Sequence, residues 1–332
     1  MTAKDSRARA ERVGACAALC FVLAWEMRLF LAPMQDVTDV AMMRTLARVG
    51  SLPDCFMTPY FRSTASTCAM AEANLRCIEQ NETGVPVVAQ LAGSEVEPLV
   101  RDARALMRLP VAGVNLNAGC PSPLVNRHGA GAALLRRPER FRAILLALRD
   151  LLPPGAFSVK CRLGWEDARA EFPRLLELLD EAQPDFVMVH ARTRRQLYGG
   201  VPDEAALALA VRSLRCPVFG NGDVRTLPQA QRWLAELCPA GLAIGRGAVR
   251  NPFLFRMLRG APAPSPEELR QYYHVLAEET ERVLPPRRSP AAHCNRMKKY
   301  LAFCYDDFSP EQEYALRRCT QMDEMLRILD ER

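Results

Sequence analysis

"AFSVKCRLGWEDARAEFPRLLELLDEAQPDFVMVH", residues 156–190, holds an apolar run ending on Lys160 and Arg162, a polar turn, a helical stretch over 169–181, and a second apolar run over 185–190. Apolar residues three and four apart mark the helix, and short continuous apolar runs mark strands buried on both faces. The same unit recurs along the chain. Strands are predicted at 28–33, 54–58, 85–91, 113–117, 156–162, 185–190, 217–220 and 241–245, and helices at 94–108, 137–151, 169–181, 202–214 and 226–236. Eight such strands within about 230 residues predict an α/β fold, a (β/α)8 TIM barrel. A Rossmann fold competes through "GRGAVR" (245–250), but its third glycine position is Arg250 and it falls in the last unit instead of opening the first.

Outside that repeat the composition changes. "APAPSPEE" (261–268) reads as a linker and helix start, and no strand pattern follows it, so the expected organisation is a barrel over 27–260 and a small helical domain over 261–332. Residues 1–26 form an extension expected to be dispensable: Arg7, Arg9 and Arg12 before "VGACAALCFVLAW" imitate a signal peptide, yet the apolar part is too short to span a bilayer. Net charge is +6, carried almost wholly by arginine, because lysine stands only at 4, 160, 298 and 299. The 12 cysteines include no CxxC pair, which leaves no legible zinc or iron–sulfur ligand set and fits reduced thiols in the cytoplasm. Neither a metal nor a membrane partner is expected.

In such a barrel the ligand site lies where the strands end. Those ends carry Pro33-Met34-Gln35, Gln90, Asn117 to Cys120, Lys160 with Arg162, His190 with Arg192, Asn221-Gly222-Asp223 and Gly245-Arg246. The last two groups are glycine turns after strands seven and eight, where backbone N–H groups bind phosphate, so a phosphorylated cofactor is implied. Lys160 is the one lysine of the barrel, and its ammonium is suited to stabilising negative charge that develops in the mouth. Cys120 stands between Gly119 and Pro121 at a strand end, a position suited to chemistry more than to packing, with a loop rich in Gly, Asn, Arg and His behind it that reads as a mobile lid.

Seven stretches in order, "LAPMQDVTD" (31–39), "VVAQLAG" (87–93), "NAGCPSPLVNRHGAGAALL" (117–135), "VKCRLGW" (159–165), "VHARTRRQLY" (189–198), "VFGNGDV" (218–224) and "AIGRGAVRNP" (243–252), resemble the successive motifs of the tRNA-dihydrouridine synthases. The resemblance implies an FMN enzyme that uses NADPH to reduce the C5–C6 bond of a tRNA uridine. It assigns FMN to Pro33, Met34, Gln35, Gln90, Lys160, His190, Asn221, Gly222, Asp223, Gly245 and Arg246. Cys120 becomes the proton donor, and Asn117 and Arg192 face the uracil or the flavin edge. Such a reduction needs a hydride at C6 and a proton at C5, and a thiol with an ordinary pKa of ~8.5 still carries its proton at neutral pH. At Gln35-Asp36 the sequence departs from the pattern, since many members have an acidic or small residue followed by glycine. "TPYFRST" (58–64) resembles the class acting at position 16 of the D-loop.

A uridine within folded tRNA must be turned out of its stack, which calls for a basic surface beside the mouth. "PPRRSPAAHCNRMKKY" (285–300) offers Arg287, Arg288, Arg296, Lys298 and Lys299 with no acid among them, and these are expected to bind tRNA. The expected protein is a monomer. Two rival readings are an FMN reductase of a free pyrimidine, which needs no basic tail, and a non-enzymatic RNA-binding protein, which needs neither Cys120 nor Lys160.

Overall fold

The computed structural model describes residues 28–66, 68–283 and 289–331. Ten strands occur there: β1 (Arg28–Leu31), β2 (Cys55–Met57), β3 (Phe61–Ser63), β4 (Cys68–Ala69), β5 (Val87–Ala92), β6 (Gly113–Ala118), β7 (Phe157–Arg162), β8 (Phe186–His190), β9 (Val218–Asn221) and β10 (Gly241–Ile244). Eight of them form a closed parallel ring, β1-β2-β5-β6-β7-β8-β9-β10, in which β10 returns to β1 with Arg28 opposite Gly241. The predicted TIM barrel is thus present, each strand lying within or beside its predicted run.

Two-residue alternation divides each strand between the barrel interior and the helical layer. On the interior side the lower level is apolar: Phe30, Phe186 and Phe219 meet with ring centroids 4.7–5.4 Å apart, and Met57, Val88 and Met188 pack with them. Above that plug the interior turns polar, with Asn115 and Ser158 followed toward the strand ends by Gln90, Asn117, Lys160, His190 and Asn221. On the outer side, helices such as Pro138–Leu151 bury one stripe each, here Phe141, Ile144, Leu145 and Leu148. Asp167 and Asp203 cap the helices Ala168–Ala182 and Glu204–Ser213 by accepting backbone N–H bonds, each cap worth about 1 kcal/mol.

The hairpin β3–β4 and the helices Val40–Arg48 and Glu72–Glu79 have no counterpart among the predicted elements. The hairpin strands are short, and β3 alternates only once, with Arg62 outward between buried Phe61 and Ser63. Its register comes instead from β5, which places Phe61 opposite Leu91 and Arg62 opposite Ala92.

Beyond the barrel the described chain is helical, as expected, with helices Pro266–Val283, Pro290–Leu301, Pro310–Arg318 and Met322–Asp330. The first packs on Val40–Arg48, burying Tyr272 and Leu276, and Arg48 bonds Glu278 at 2.6 Å and Glu279 at 3.0 Å across the seam. No described helix is long and apolar enough to cross a membrane.

Candidate active site

Above the aromatic plug, amides form a connected floor. Gln90 Nε2 donates to Asn115 Oδ1 at 2.8 Å, Asn115 Nδ2 to Ser158 Oγ at 2.9 Å, and Asn117 Nδ2 to Gln90 Oε1 at 2.7 Å. Asn117 Oδ1 accepts the N–H of Gly119 at 3.1 Å and of Cys120 at 2.8 Å. The side chain of Asn117 therefore fixes the turn that presents the thiol.

Cys120 is half-buried at the rim. Burial raises its thiol above the ordinary value, while the Ser122 N–H and the charges of Lys160 and Arg162 only partly oppose that. The group stays protonated at neutral pH. The segment behind it is tied down: Asn126 Nδ2 donates to the carbonyls of Cys120 and Ala130, and Arg194 Nε donates to Asn126 Oδ1 at 3.1 Å. Gly131, with φ +63°, lies where a Cβ would stand 2.8 Å from the Cys120 carbonyl oxygen, so no other residue fits beneath the thiol. The expected lid is in this structure a segment tied to the Cys120 carbonyl, a cover on the backbone beside the thiol.

Opposite the thiol stands a cluster of cations. Lys160 Nζ donates to Asn221 Oδ1 at 2.9 Å, and its ammonium is pushed down to about 8 by loss of solvent and by Arg162. Arg162 is buried and donates to the carbonyls of Gly119, Thr193 and Leu197 at 2.9, 2.8 and 2.7 Å. Arg192, fully buried, ties Gly199 and Gly200 and pairs with Asp223, which also pairs with Arg246. Tyr198 covers this group from outside, its ring 5.4 Å from the Arg162 guanidinium and 4.4 Å from that of Arg246. His190 is held far below its ordinary pKa by burial and by Arg162, Lys160, Arg192 and Arg246, so the imidazole is neutral. Its Nε2 is buried without a partner, as is Arg192 Nη1.

The glycine turns lie beside this cluster. A Cβ on Gly222 would stand 2.7 Å from the Trp233 ring, so glycine there is demanded by packing. Among the described residues the N–H groups of Gly222 and Asp223 make no hydrogen bond. Gly245 precedes the short helix Arg246–Arg250, and Met34 Sδ lies against it. Pro33 and Met34 are half-buried at the rim, whereas Gln35 is exposed. Asp36 follows with φ +61°, taking a left-handed conformation where the resembled pattern carries glycine.

The basic tail is placed differently from the expectation. Arg296 pairs with Asp39, the N-cap of Val40–Arg48, and Tyr300 Oη donates to the same carboxylate at 2.7 Å. This guanidinium is a buried tie between helix and barrel and not an open phosphate contact. Lys299 lies 3.1 Å from Asp36, and Lys298 faces solvent near Asn295. The run is free of acids in sequence but not in space, because the loop after β1 supplies two. Arg287 and Arg288 lie outside the described residues.

Asn115, Ser158 and Tyr198 join the predicted set only in the structure, whereas Arg162 already stood among the strand ends. The first two stand two positions before Asn117 and Lys160 on their strands, so alternation alone aims them at the same interior.

Residues 30–332 match the family described as Dihydrouridine synthase (Dus). The chain belongs to the dihydrouridine synthase family. It is 32% identical over 314 residues to a tRNA-dihydrouridine(16) synthase of Cupriavidus necator, covering 91% of this chain and 96% of that protein. It is 30% identical over 298 residues to the Escherichia coli K12 protein of the same name, covering 86% and 92%. Among solved structures, morphinone reductase superposes with a TM-score of 0.53 at 14% identity, over 72% of this chain and 87% of that one. The old yellow enzyme homologue from Zymomonas mobilis gives 0.51 at 12%, over 72% and 90%. At these identities the two structures speak for the barrel alone. The enzyme makes dihydrouridine in tRNA, and the free-pyrimidine and non-enzymatic readings are set aside.

Proposed function

We propose that this enzyme reduces the uridine at position 16 of the tRNA D-loop, with NADPH as electron donor, FMN as the bound cofactor and Cys120 as the proton donor. One observation carries the assignment of Cys120: the Asn117 side chain holds that residue at the edge of the amide floor, and burial keeps the thiol protonated. A protonated thiol beside a cationic mouth is a general acid and not a nucleophile.

The groups left over fit FMN. His190 Nε2 and Arg192 Nη1 are buried polar atoms without partners, and the free N–H groups of Gly222 and Asp223 with Arg246 form a phosphate-binding edge. Lys160 and Gln90 would meet the ring. When bound, the flavin would supply the hydride for uracil C6. Lys160, with its value near 8, stays mostly charged at neutral pH and would stabilise the negative charge left on the reduced ring. Cys120 Sγ gives its proton to C5. Position 16 is supported by the names of the relatives in Cupriavidus necator, Ralstonia nicotianae and Escherichia coli, and by the "TPYFRST" stretch. The cytoplasm is the compartment where tRNA and NADPH meet.

Purified enzyme should be yellow, lose its flavin absorbance with NADPH, and regain it on addition of a tRNA transcript that then carries dihydrouridine at position 16. In Cys120→Ala the first step should persist while dihydrouridine formation falls at least ~10²-fold. Colourless protein after incubation with FMN, or full tRNA reduction by the variant, would refute the cofactor or the donor respectively.

A further inference from the structure

Beside the cover on Cys120 lies a cleft of about 170 Å³, walled by Tyr60, Arg62, Ser94, Leu124 and His128. Its lining includes none of the four cations of the cluster, Lys160, Arg162, Arg192 and Arg246. One wall is the β3–β4 hairpin, which is rigidly mounted: Ser63 Oγ donates to Asp102 Oδ2 at 2.7 Å, Arg101 donates to the Thr64 carbonyl at 2.9 Å, and Asn74 donates to the Tyr60 carbonyl at 2.9 Å. The other wall is the cover itself, where Val125 and Ala130 line the cleft and Asn126 grips the Cys120 carbonyl.

Three features of the cleft remain unexplained by folding. The Arg62 side chain is exposed and makes no hydrogen bond or ion pair among the described residues. Leu124 is 52% exposed on the cover. Arg127 adds a second cation at the edge, donating to the ring of His128, against the single carboxylate of Glu95 on the lining. An unpaired guanidinium, an open apolar side chain and an excess of positive charge together suit an anionic ligand with an apolar face.

A uridine turned into the mouth brings the phosphates on either side of it to the rim. We propose that this cleft is the subsite for a nucleotide adjoining the reduced uridine, with Arg62 paired to its phosphate and Leu124 against its sugar or base. The subsite rests on tRNA being the substrate. Its small volume admits one such group and not a run of stacked bases. Tyr60 lines the cleft, and burial raises its hydroxyl above the ordinary value. The cleft also gives position within the D-loop a physical reading, since neighbours of the target are gripped as well as the target.

The test uses the holoenzyme and tRNA transcripts ligated with a neutral methylphosphonate on one or the other side of the target uridine. Arg62→Gln should weaken tRNA binding about tenfold, the loss of one charge-assisted bond, and lower the salt slope of log K by about 0.7. One of the two methylphosphonate tRNAs should weaken wild-type binding by a similar factor and leave Arg62→Gln binding unaffected. Leu124→Ser should weaken binding with an unchanged salt slope, and flavin absorbance should report intact fold in both variants. Wild-type affinity in Arg62→Gln, or penalties that simply add, would overturn the subsite while tRNA still reoxidises the wild-type flavin. Failure of all-phosphate tRNA to reoxidise wild-type flavin would overturn the substrate and the subsite together.

Discussion

The barrel mouth and the seam of the helical domain are both rich in arginine, and they use it in opposite ways. At the seam each described cation meets an acid: Arg296 takes Asp39, Arg48 takes Glu278 and Glu279, and Arg250 takes Asp307. In the mouth Lys160, Arg162, Arg192 and Arg246 crowd His190, and only Arg192 and Arg246 among them meet a carboxylate, that of Asp223. Like charges held together unmatched raise the energy of the site, whereas matched ones close an interface. The difference separates charge kept for a ligand from charge used to hold the fold.

The strongest way to break that comparison is at the seam. Arg296→Gln leaves the Asp39 carboxylate buried with only Tyr300 and the Met42 N–H, so unfolding in denaturant should show a loss of about 3 to 5 kcal/mol. A loss under 1 kcal/mol would make Arg296 a surface charge after all.

A smaller effect sharpens the other side. His190 titrates well below 6.5 in the folded protein and near 6.5 when unfolded, so the unfolded chain binds the extra proton first as pH falls. Its contribution is constant above about 6.5 and is lost on acidification, with a slope of up to about 1.4 kcal/mol per pH unit. Unfolding free energies measured from pH 7.5 to 5 should therefore fall less steeply in His190→Asn than in wild type. Parallel curves would mean that the cations do not hold the imidazole neutral.

The least effect is expected at the exposed end of the tail. Lys298→Gln with Lys299→Gln should change stability by under about 1 kcal/mol, because the one ion pair lost, to Asp36, is exposed. The tRNA salt slope should fall by about one contact, ~0.7 to 0.9, since Lys298 alone is without an acid. A fall of two contacts would show that Asp36 yields Lys299 to the RNA and that the tail belongs with the mouth.

The ring of strands was legible because each barrel strand is buried on both faces and reads as an apolar run whatever surrounds it. The polar ends of those runs marked Gln90, Lys160, His190 and Asn221 for the same reason, since a polar residue closing such a run has nowhere to face but the mouth. Asn115 and Ser158 were hidden inside the runs, where only the phase of the alternation separates them from core. Arg296 misled because an acid-free stretch says nothing of Asp36 and Asp39, some 260 residues earlier in the chain, which folding brings against it. The β3–β4 hairpin escaped because its shape is imposed by β5 and by Asp102, not by its own sequence.

The plug of Phe30, Phe186 and Phe219 shuts the lower end of the barrel. Everything that reaches the floor of amides must then come and go by the same door. On the proposed reading, a reductant and a tRNA would share that one door, and three aromatic rings that need touch neither of them would leave the upper rim as the place where both arrive.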